Sequence, residues 1–349
     1  MRKYRIHKRQ LLFKKPAGTS RGVLRQKPAW YVELTEGEKY GLGECGLLPG
    51  LSVDDRPDFE SALRARLDAW ADHRDFPEKF RWPSIEFGVE TALASLAAKD
   101  PYHPFPSEFT EGGASIPING LIWMGDEDDM LDQAREKIAQ GFRCIKMKIG
   151  AIDFDAEIRV IEAIRREYDP RQIEIRVDAN GAFSPGEAKE KLKVLHKLDV
   201  HSIEQPLKAG RWDATAELCR TSRLPIALDE DLIGLPPREK GGALLDAIRP
   251  WAIILKPGLL GGFEATDQWI ELAEERGVKW WITSALESNV GLNAIAQFTA
   301  RKMPRIAQGL GTGSLYTNNP ESPLYIERGR IAWNPYAEWE NPFSDASIP

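Results

Sequence analysis

The chain has 349 residues, with 47 Lys plus Arg against 53 Asp plus Glu and a formal net charge of −6. At roughly 100–200 residues per domain, that length suggests two domains or one large barrel with additions. With 42% hydrophobic and 29% charged residues and a mean hydropathy of −0.40, the composition excludes disordered and collagen-like chains, and no apolar run approaches the ~18–20 residues of a membrane span. A pI near 5.6 gives no general electrostatic footprint for nucleic acid. Three cysteines (Cys45, Cys144, Cys219) without a CxxC pair argue against a disulfide scaffold or a zinc ribbon. Five histidines, none in HExxH spacing, argue against His-based metalloprotease chemistry.

The first fifteen residues carry seven basic side chains but lack the 7–15-residue apolar stretch of a signal peptide. Tyr4, Ile6, Leu11, Leu12 and Phe13 read instead as an edge strand, and a cytoplasmic location is expected. A meander follows, with strands at Tyr4–Phe13, Trp30–Glu33 and Lys39–Glu44, and then helices over Asp58–Ala71 and Ile85–Ala98. Residues 1–114 therefore form an α+β domain.

From residue 115 the pattern changes. Short β-rich runs recur at Pro117–Trp123, Cys144–Ile149, Ile173–Asp178, Ser202–Glu204, Ile226–Asp229, Ala252–Lys256, Trp281–Ser284 and Arg305–Gly309. Helical signals lie between most of them. Phe154, Ile158, Ile161 and Ile164 recur at 3.6-residue spacing, and Ser184-Pro185-Gly186-Glu187 is a capping box with Pro at the first helical position. Strands alternating with helices pair in parallel, so residues 115–313 predict an α/β barrel of the TIM type. The Pro-containing segment 314–349 is expected to return to the first domain.

Strand parity selects the side chains that enter this barrel. In Cys144–Ile149, Ile145, Met147 and Ile149 share one face and Lys146 and Lys148 the other; in Ile173–Asp178, Arg176 and Asp178 stand opposite the apolar residues. Glu204, Asp229 and Lys256 likewise oppose Ile203, Leu228 and Leu255. The intervals Lys148–Asp178–Glu204–Asp229–Lys256 are 30, 26, 25 and 27 residues, one βα unit each. Each residue thus stands at the C-terminal end of its strand, where barrel enzymes keep their chemistry. Three converging carboxylates without His or Cys call for a hard cation, Mg²⁺ with Mn²⁺ as the alternative. Lys148, with its pKa lowered by the neighbouring Lys146 ammonium, would remove a proton beside a small-molecule substrate's carboxylate. Taken singly, each residue is an ordinary strand-end charge; five at one end of consecutive strands are not.

These residues stand in KMK at 146–148, VDANG at 177–181, IEQP at 203–206, LDED at 228–231 and LKPG at 255–258. The set resembles the enolase superfamily and, within it, the muconate-lactonizing subgroup. The resemblance implies a (β/α)7β-type TIM barrel with an N-terminal α+β capping domain. It also implies Mg²⁺ at Asp178, Glu204 and Asp229, Lys148 as acid/base and Lys256 on the opposite face of the substrate; beside these, Lys146 supports Lys148, and Arg176 either organises Glu204 or Asp178 or neutralises the barrel floor. PAGTSRG at 16–22, GLGECGLLPGLS at 41–52, TSALESNVGLNAIAQ at 283–297 and GLGTG at 309–313 are most similar to the o-succinylbenzoate synthase family of menaquinone biosynthesis. That likeness implies a lyase performing a syn dehydration. N-acylamino acid racemases and dipeptide epimerases share the same motifs, and a non-catalytic acid-binding barrel is the alternative from another class.

Candidate substrate contacts are Thr19, Ser20, Arg21, Leu48, Ser284, Ser288, Asn289 and Gly311. Arg21 could meet a succinyl carboxylate or be a surface residue of a tight turn, and Ser288 or Asn289 could instead cap a helix. Gly41–Gly46 spells GxGxxG, but no helix opens after it, so a mobile loop near the barrel mouth is expected rather than a dinucleotide site.

Overall fold

A computed structural model describes residues 1–19, 22–76, 81–150 and 152–343. The first domain opens with a three-stranded antiparallel sheet of β1 (Arg2–Thr19), β2 (Gly22–Glu36) and β3 (Lys39–Gly46), followed by α1 (Phe59–Ala71) and α2 (Pro83–Ala97). The strands run longer than their apolar residues suggest, because β1 and β2 pair from Arg2↔Glu36 to Thr19↔Gly22 with one register shift between Leu12 and Ala17. The paired strands lead Leu24 toward the second domain.

Gly41–Gly46 is not a mobile loop. It lies within β3, buried, and its glycines let α2 press directly on the sheet. A Cβ on Gly41 would lie 2.2 Å from the Ala92 carbonyl oxygen, and one on Gly43 2.0 Å from that of Gly88. The spacing that mimics a phosphate-binding loop is therefore a sheet–helix packing device.

In the barrel, β5 (Gly120–Ile122), β6 (Cys144–Lys148), β7 (Glu174–Asp178), β8 (Ser202–Glu204), β9 (Ile226–Leu228), β10 (Ala252–Leu255) and β11 (Lys279–Ile282) pair in parallel, each beside the next, and the helices between them include α3 (Glu127–Ala139), α6 (Trp212–Thr221), α7 (Gly242–Ile248) and α8 (Pro257–Leu260). The eighth position is held only by bridges. Ile118 pairs with Gln308 and Thr283 with Gly309, which closes the ring between its first and last strands. The run at Pro117–Trp123 divides between two sheets, since β4 (Ser115–Pro117) pairs antiparallel with a C-terminal hairpin of β12 (Leu324–Glu327) and β13 (Arg330–Trp333). Elsewhere the returning chain lies on β1: Tyr316 bridges Phe13, and the Phe343 ring stands 4.5 Å from that of His7.

Side chains alternate across the barrel wall as strand parity requires. Ile145, Met147, Ile175, Val177 and Ile203 pack outward with Val160, Ile161 and Ile164 of α4 (Phe154–Glu167) and with Leu192 and Leu195 of α5 (Pro185–Lys197). The capping box forms, with Ser184 and Glu187 each bonding the other's backbone amide. Glu90 of α2 reaches across to the barrel. Its carboxylate accepts hydrogen bonds from Phe263 N at 2.6 Å and Glu264 N at 2.9 Å, satisfying the N-terminus of α9 (Gly262–Glu275).

Two outcomes test this packing. Gly43→Ala forces a backbone clash and should lower stability by about 1–3 kcal/mol; an unchanged Tm would contradict it. Burial pushes the Glu90 carboxyl up to about 7 against the two amides that favour its ionised form. The folded state then holds this proton more tightly than the unfolded chain, so stability falls as pH rises from about 4.5 to 7. Urea unfolding at pH 5 and pH 8 should show wild type losing more stability over that interval than Glu90→Gln, by on the order of 3 kcal/mol. Equal losses would refute the assignment.

Candidate active site

Six charged side chains meet at the C-terminal ends of β6 to β10. Lys146 and Lys148 come from β6, Asp178 ends β7 and Glu204 ends β8. Asp229 and Lys256 each follow the last residue of their strand. All three carboxylates are buried. Asp178 Oδ2 lies 2.8 Å from Lys146 Nζ and 2.6 Å from Lys148 Nζ. Glu204 Oε2 is 2.6 Å from Lys146 Nζ, and Lys256 Nζ pairs with Asp229 Oδ2 and lies 3.8 Å from Glu204 Oε1.

This geometry corrects one expectation. Lys146 does not act on Lys148 as a bare neighbouring charge, because Asp178 bridges the two ammonium groups. Burial pushes the Lys146 ammonium down, but Asp178 and Glu204 outweigh it and hold it protonated. Asp178 is driven well below the usual carboxylate range, its burial overcome by Lys146, Lys148 and Lys256. The other two carboxyls move the opposite way. Glu204 is pushed up to about 7 by burial and by Asp178, and Asp229 is raised chiefly by burial.

The site is therefore short of positive charge at Glu204 and Asp229. Glu204 Oε1 is buried without a hydrogen-bond partner, and every acidic group is a hard oxygen donor, which fits a cation such as Mg²⁺. Among the described residues no three His, Cys, Asp or Glu side chains already stand as a metal cluster, since the lysines lie between them.

Arg176 is not part of this group. It stands two residues before Asp178, roughly 6–7 Å lower on the strand, where it bonds Glu174 Oε1 at 2.7 Å and the Ala307 carbonyl at 2.9 Å and lies over the Trp281 ring. It fills the barrel floor and does not support the carboxylates.

A cavity of about 140 Å³ opens beside the lysines, lined by Lys146, Lys148, Lys256, Asn119, Asn180, Thr283, Ser284 and Thr312, with Leu24, Leu48, Leu51, Trp123 and Leu286 as its apolar wall. Of the candidate contacts, Leu48, Ser284 and Gly311 lie here. Ser284 Oγ is 2.6 Å from Thr312 Oγ1. Ser288 and Asn289 do not line this cavity. Ser288 caps α10 (Asn289–Arg301) through Val290 N and bonds Tyr31 and Glu44. Asn289 borders a separate groove and donates to the Pro320 carbonyl. Both serve structure because they start a helix beside the first domain. Thr19 is the last residue of β1, opposite Gly22, while Ser20 and Arg21 lie outside the described residues.

Residue patterns missed two organisers. Asn180 accepts from Lys148 Nζ at 2.9 Å and donates to Glu230 Oε1 at 3.0 Å. Gln205, in the left-handed region with φ 40°, accepts from Asp229 N and Asp231 N and donates to the Leu207 carbonyl and to Asp231 Oδ2. Gln205 directly follows the strand-end carboxylate in IEQP and Asn180 stands two residues after the one in VDANG, positions that were the available signal. Asn119 and Thr283 also escaped: Asn119 stands alone among apolar neighbours, and Thr283 ends the apolar run just before Ser284.

The fold and these motifs agree with what the chain resembles. Residues 129–334 match the enolase C-terminal domain-like family and residues 1–96 the MenC N-terminal domain. The chain belongs to the enolase superfamily. It is 48% identical to o-succinylbenzoate synthase of Desulfotalea psychrophila, across 92% of this chain and 96% of that one, and so falls within the o-succinylbenzoate synthase (MenC) family. The crystal structure of MenC from Desulfotalea psychrophila superposes with a TM-score of 0.84 at 42% identity, covering 95% of this chain and 99% of that one. The L-Ala-D/L-Glu epimerase of Bacillus subtilis, at 19% identity and a TM-score of 0.83 over 97% and 96%, shares the fold.

Gln205→Leu should leave the buried Asp229 and Asp231 amides without their acceptor, at about 1–3 kcal/mol for each unsatisfied group. Thermal unfolding reads this as a lower Tm; an unshifted Tm would show that Gln205 does not hold the segment.

Proposed function

We propose that the chain catalyses the syn dehydration of 2-succinyl-6-hydroxy-2,4-cyclohexadiene-1-carboxylate to o-succinylbenzoate, a carbon–oxygen lyase reaction in menaquinone biosynthesis. The observation that carries this is the cavity lined by Lys148 and Lys256, which pair with three buried carboxylates, in a chain 48% identical to o-succinylbenzoate synthase of Desulfotalea psychrophila. No helix is long and apolar enough to cross a membrane among the described residues. The free thiols of Cys45, Cys144 and Cys219 support a cytoplasmic location.

Asp178, Glu204 and Asp229 would hold Mg²⁺, with Mn²⁺ as an alternative. When bound, the cation supplies positive charge that acidifies the C–H beside the substrate carboxylate. Lys148 Nζ takes that proton, steadied on the cavity wall by Asn180 Oδ1. The proton then returns from Lys148 to the departing hydroxyl on the same ring face, releasing water. Lys256, entering from β10 on the other side of the carboxylates, remains an ammonium and stabilises the negative charge that develops on the substrate. Burial lowers its proton affinity, but Asp229 and Glu204 more than restore it. The apolar wall of Leu24, Leu48, Leu51 and Leu286 receives the ring and the chain it carries.

Racemisation of an N-acylamino acid or epimerisation of a dipeptide is the second reading, because Lys148 and Lys256 both border the cavity. Turnover in D₂O separates the two: an epimerase incorporates deuterium at Cα, whereas dehydration gives the aromatic product.

Purified chain with Mg²⁺ and the cyclohexadiene substrate should yield o-succinylbenzoate, followed by absorbance, and chelation should abolish the yield. Lys148→Ala should lower kcat by about 10²–10⁴-fold with the fold intact by circular dichroism. No turnover by the wild-type chain with Mg²⁺ would sink the proposal.

A further inference from the structure

A second set of buried charges lies outside the reaction centre, where the cap meets the barrel. Glu44 of β3 is fully buried and binds the start of α10 through three hydrogen bonds. Its Oε1 accepts from Ser288 N at 3.0 Å, and its Oε2 accepts from Ser288 Oγ at 2.6 Å and Gly291 N at 2.9 Å. Tyr31 of β2 adds a fourth contact by donating to Ser288 Oγ at 2.9 Å. Behind Glu44 stands Lys27 of β2, also fully buried, with Nζ 4.0 Å from Glu44 Oε1 and no hydrogen-bond partner. A Cβ at position 46 would lie 2.4 Å from that ammonium, so Gly46 makes room for it. Glu287 completes the set and accepts from Ala285 N at 2.6 Å. Burial pushes its carboxyl up to about 7 while Lys27 pulls it down, so one ammonium serves two carboxylates.

The neighbours of these residues give the cluster a function. Leu24 lies three residues before Lys27 on β2, and Leu48 four residues after Glu44; Ser284, Ala285 and Leu286 immediately precede Glu287. All five line the cavity beside the lysines. Leu48, Ala285, Leu24, Leu51 and Leu286 also form one apolar cluster drawn from both domains. The wall that meets the part of the substrate remote from the reacting carbon is therefore built half from the cap and half from the segment after β11, and the buried charges lock those halves together. Neutral contacts would permit sliding. A carboxylate on three donors at a helix N-terminus has one favourable seat.

We propose that Glu44, supported by Lys27, is a positioning residue that fixes cap against barrel at the cavity wall and so sets substrate fit without acting in proton transfer. This inference rests on the dehydration described above.

Steady-state kinetics of Glu44→Gln and Lys27→Met, with saturating Mg²⁺ and the cyclohexadiene substrate, test it. Both variants should raise KM about tenfold or more and keep kcat within about threefold of wild type, the pattern of lost binding made equally in ground and transition states. Hydrogen exchange at the Ser288 and Gly291 amides should quicken in Glu44→Gln. Should either variant fail to fold, Ser288→Ala, which removes the hydroxyl's bonds with Glu44, Tyr31 and Val290 N but keeps the two amide bonds to Glu44, should give the same split with a smaller KM change. Product from wild type with unchanged KM in folded variants overturns this inference alone, and so does a fall in kcat as large as the fall in kcat/KM. No product from wild type overturns the parent reading and this one with it.

Discussion

Six ionisable side chains gathered at one end of a barrel, the three carboxylates among them held out of water, are the condition around which the rest of this protein is built. A buried carboxylate without a counter-charge costs several kcal/mol or takes up a proton. Three of them on adjacent strands are tolerated because three lysines from β6 and β10 stand among them. The compensation is uneven. Asp178 touches two ammonium groups and is held ionised, whereas Glu204 keeps an unpartnered oxygen and drifts upward. That imbalance is what a divalent cation would remove.

Supporting residues follow from the same demand. Asn180 and Gln205 hold the backbone after β7 and β8 in left-handed conformations and turn side-chain amides toward Lys148 and toward the Asp229 and Asp231 amides. On the floor, Arg176 is neutralised by Glu174 and covered by Trp281, so a second buried charge is accommodated one layer below the first. Barrel interiors are ordinarily filled with branched aliphatic side chains. Here the ionic layers displace them, and the aliphatic residues pack outward against the helices.

The cap joins this arrangement through carboxylates as well. Glu44 and Glu90 each leave the first domain to satisfy the N-terminus of a barrel helix, α10 and α9 respectively. Backbone amides at those helix starts need acceptors, and a carboxylate from another domain supplies both acceptor and orientation. Between the two contacts the glycines of β3 bring α2 close enough for Glu90 to reach α9. Tight packing in the cap and correct placement of the cavity wall are thus one problem.

Much of the reaction centre was legible in residue order because a strand has a period of two and a βα unit a nearly constant length. Lys148, Asp178, Glu204, Asp229 and Lys256 could be placed at one end of one barrel from parity and spacing alone. Arg176 shared that parity but not that depth, and depth along a strand is not written in the alternation. Ser288 and Asn289 carried the residue types of a substrate contact and of a helix cap equally well. Which role Ser288 took depended on Glu44 and Tyr31, more than 240 residues away in the chain, while Asn289 turned to the Pro320 carbonyl. The sequence by itself determined the architecture and the ionic constellation, since both arise from local periodicities. Only the tertiary structure decided how the charges pair, how the ring closes at Gln308 and Gly309, and where the cap meets the cavity, because those contacts join segments whose separation along the chain carries no repeating signal.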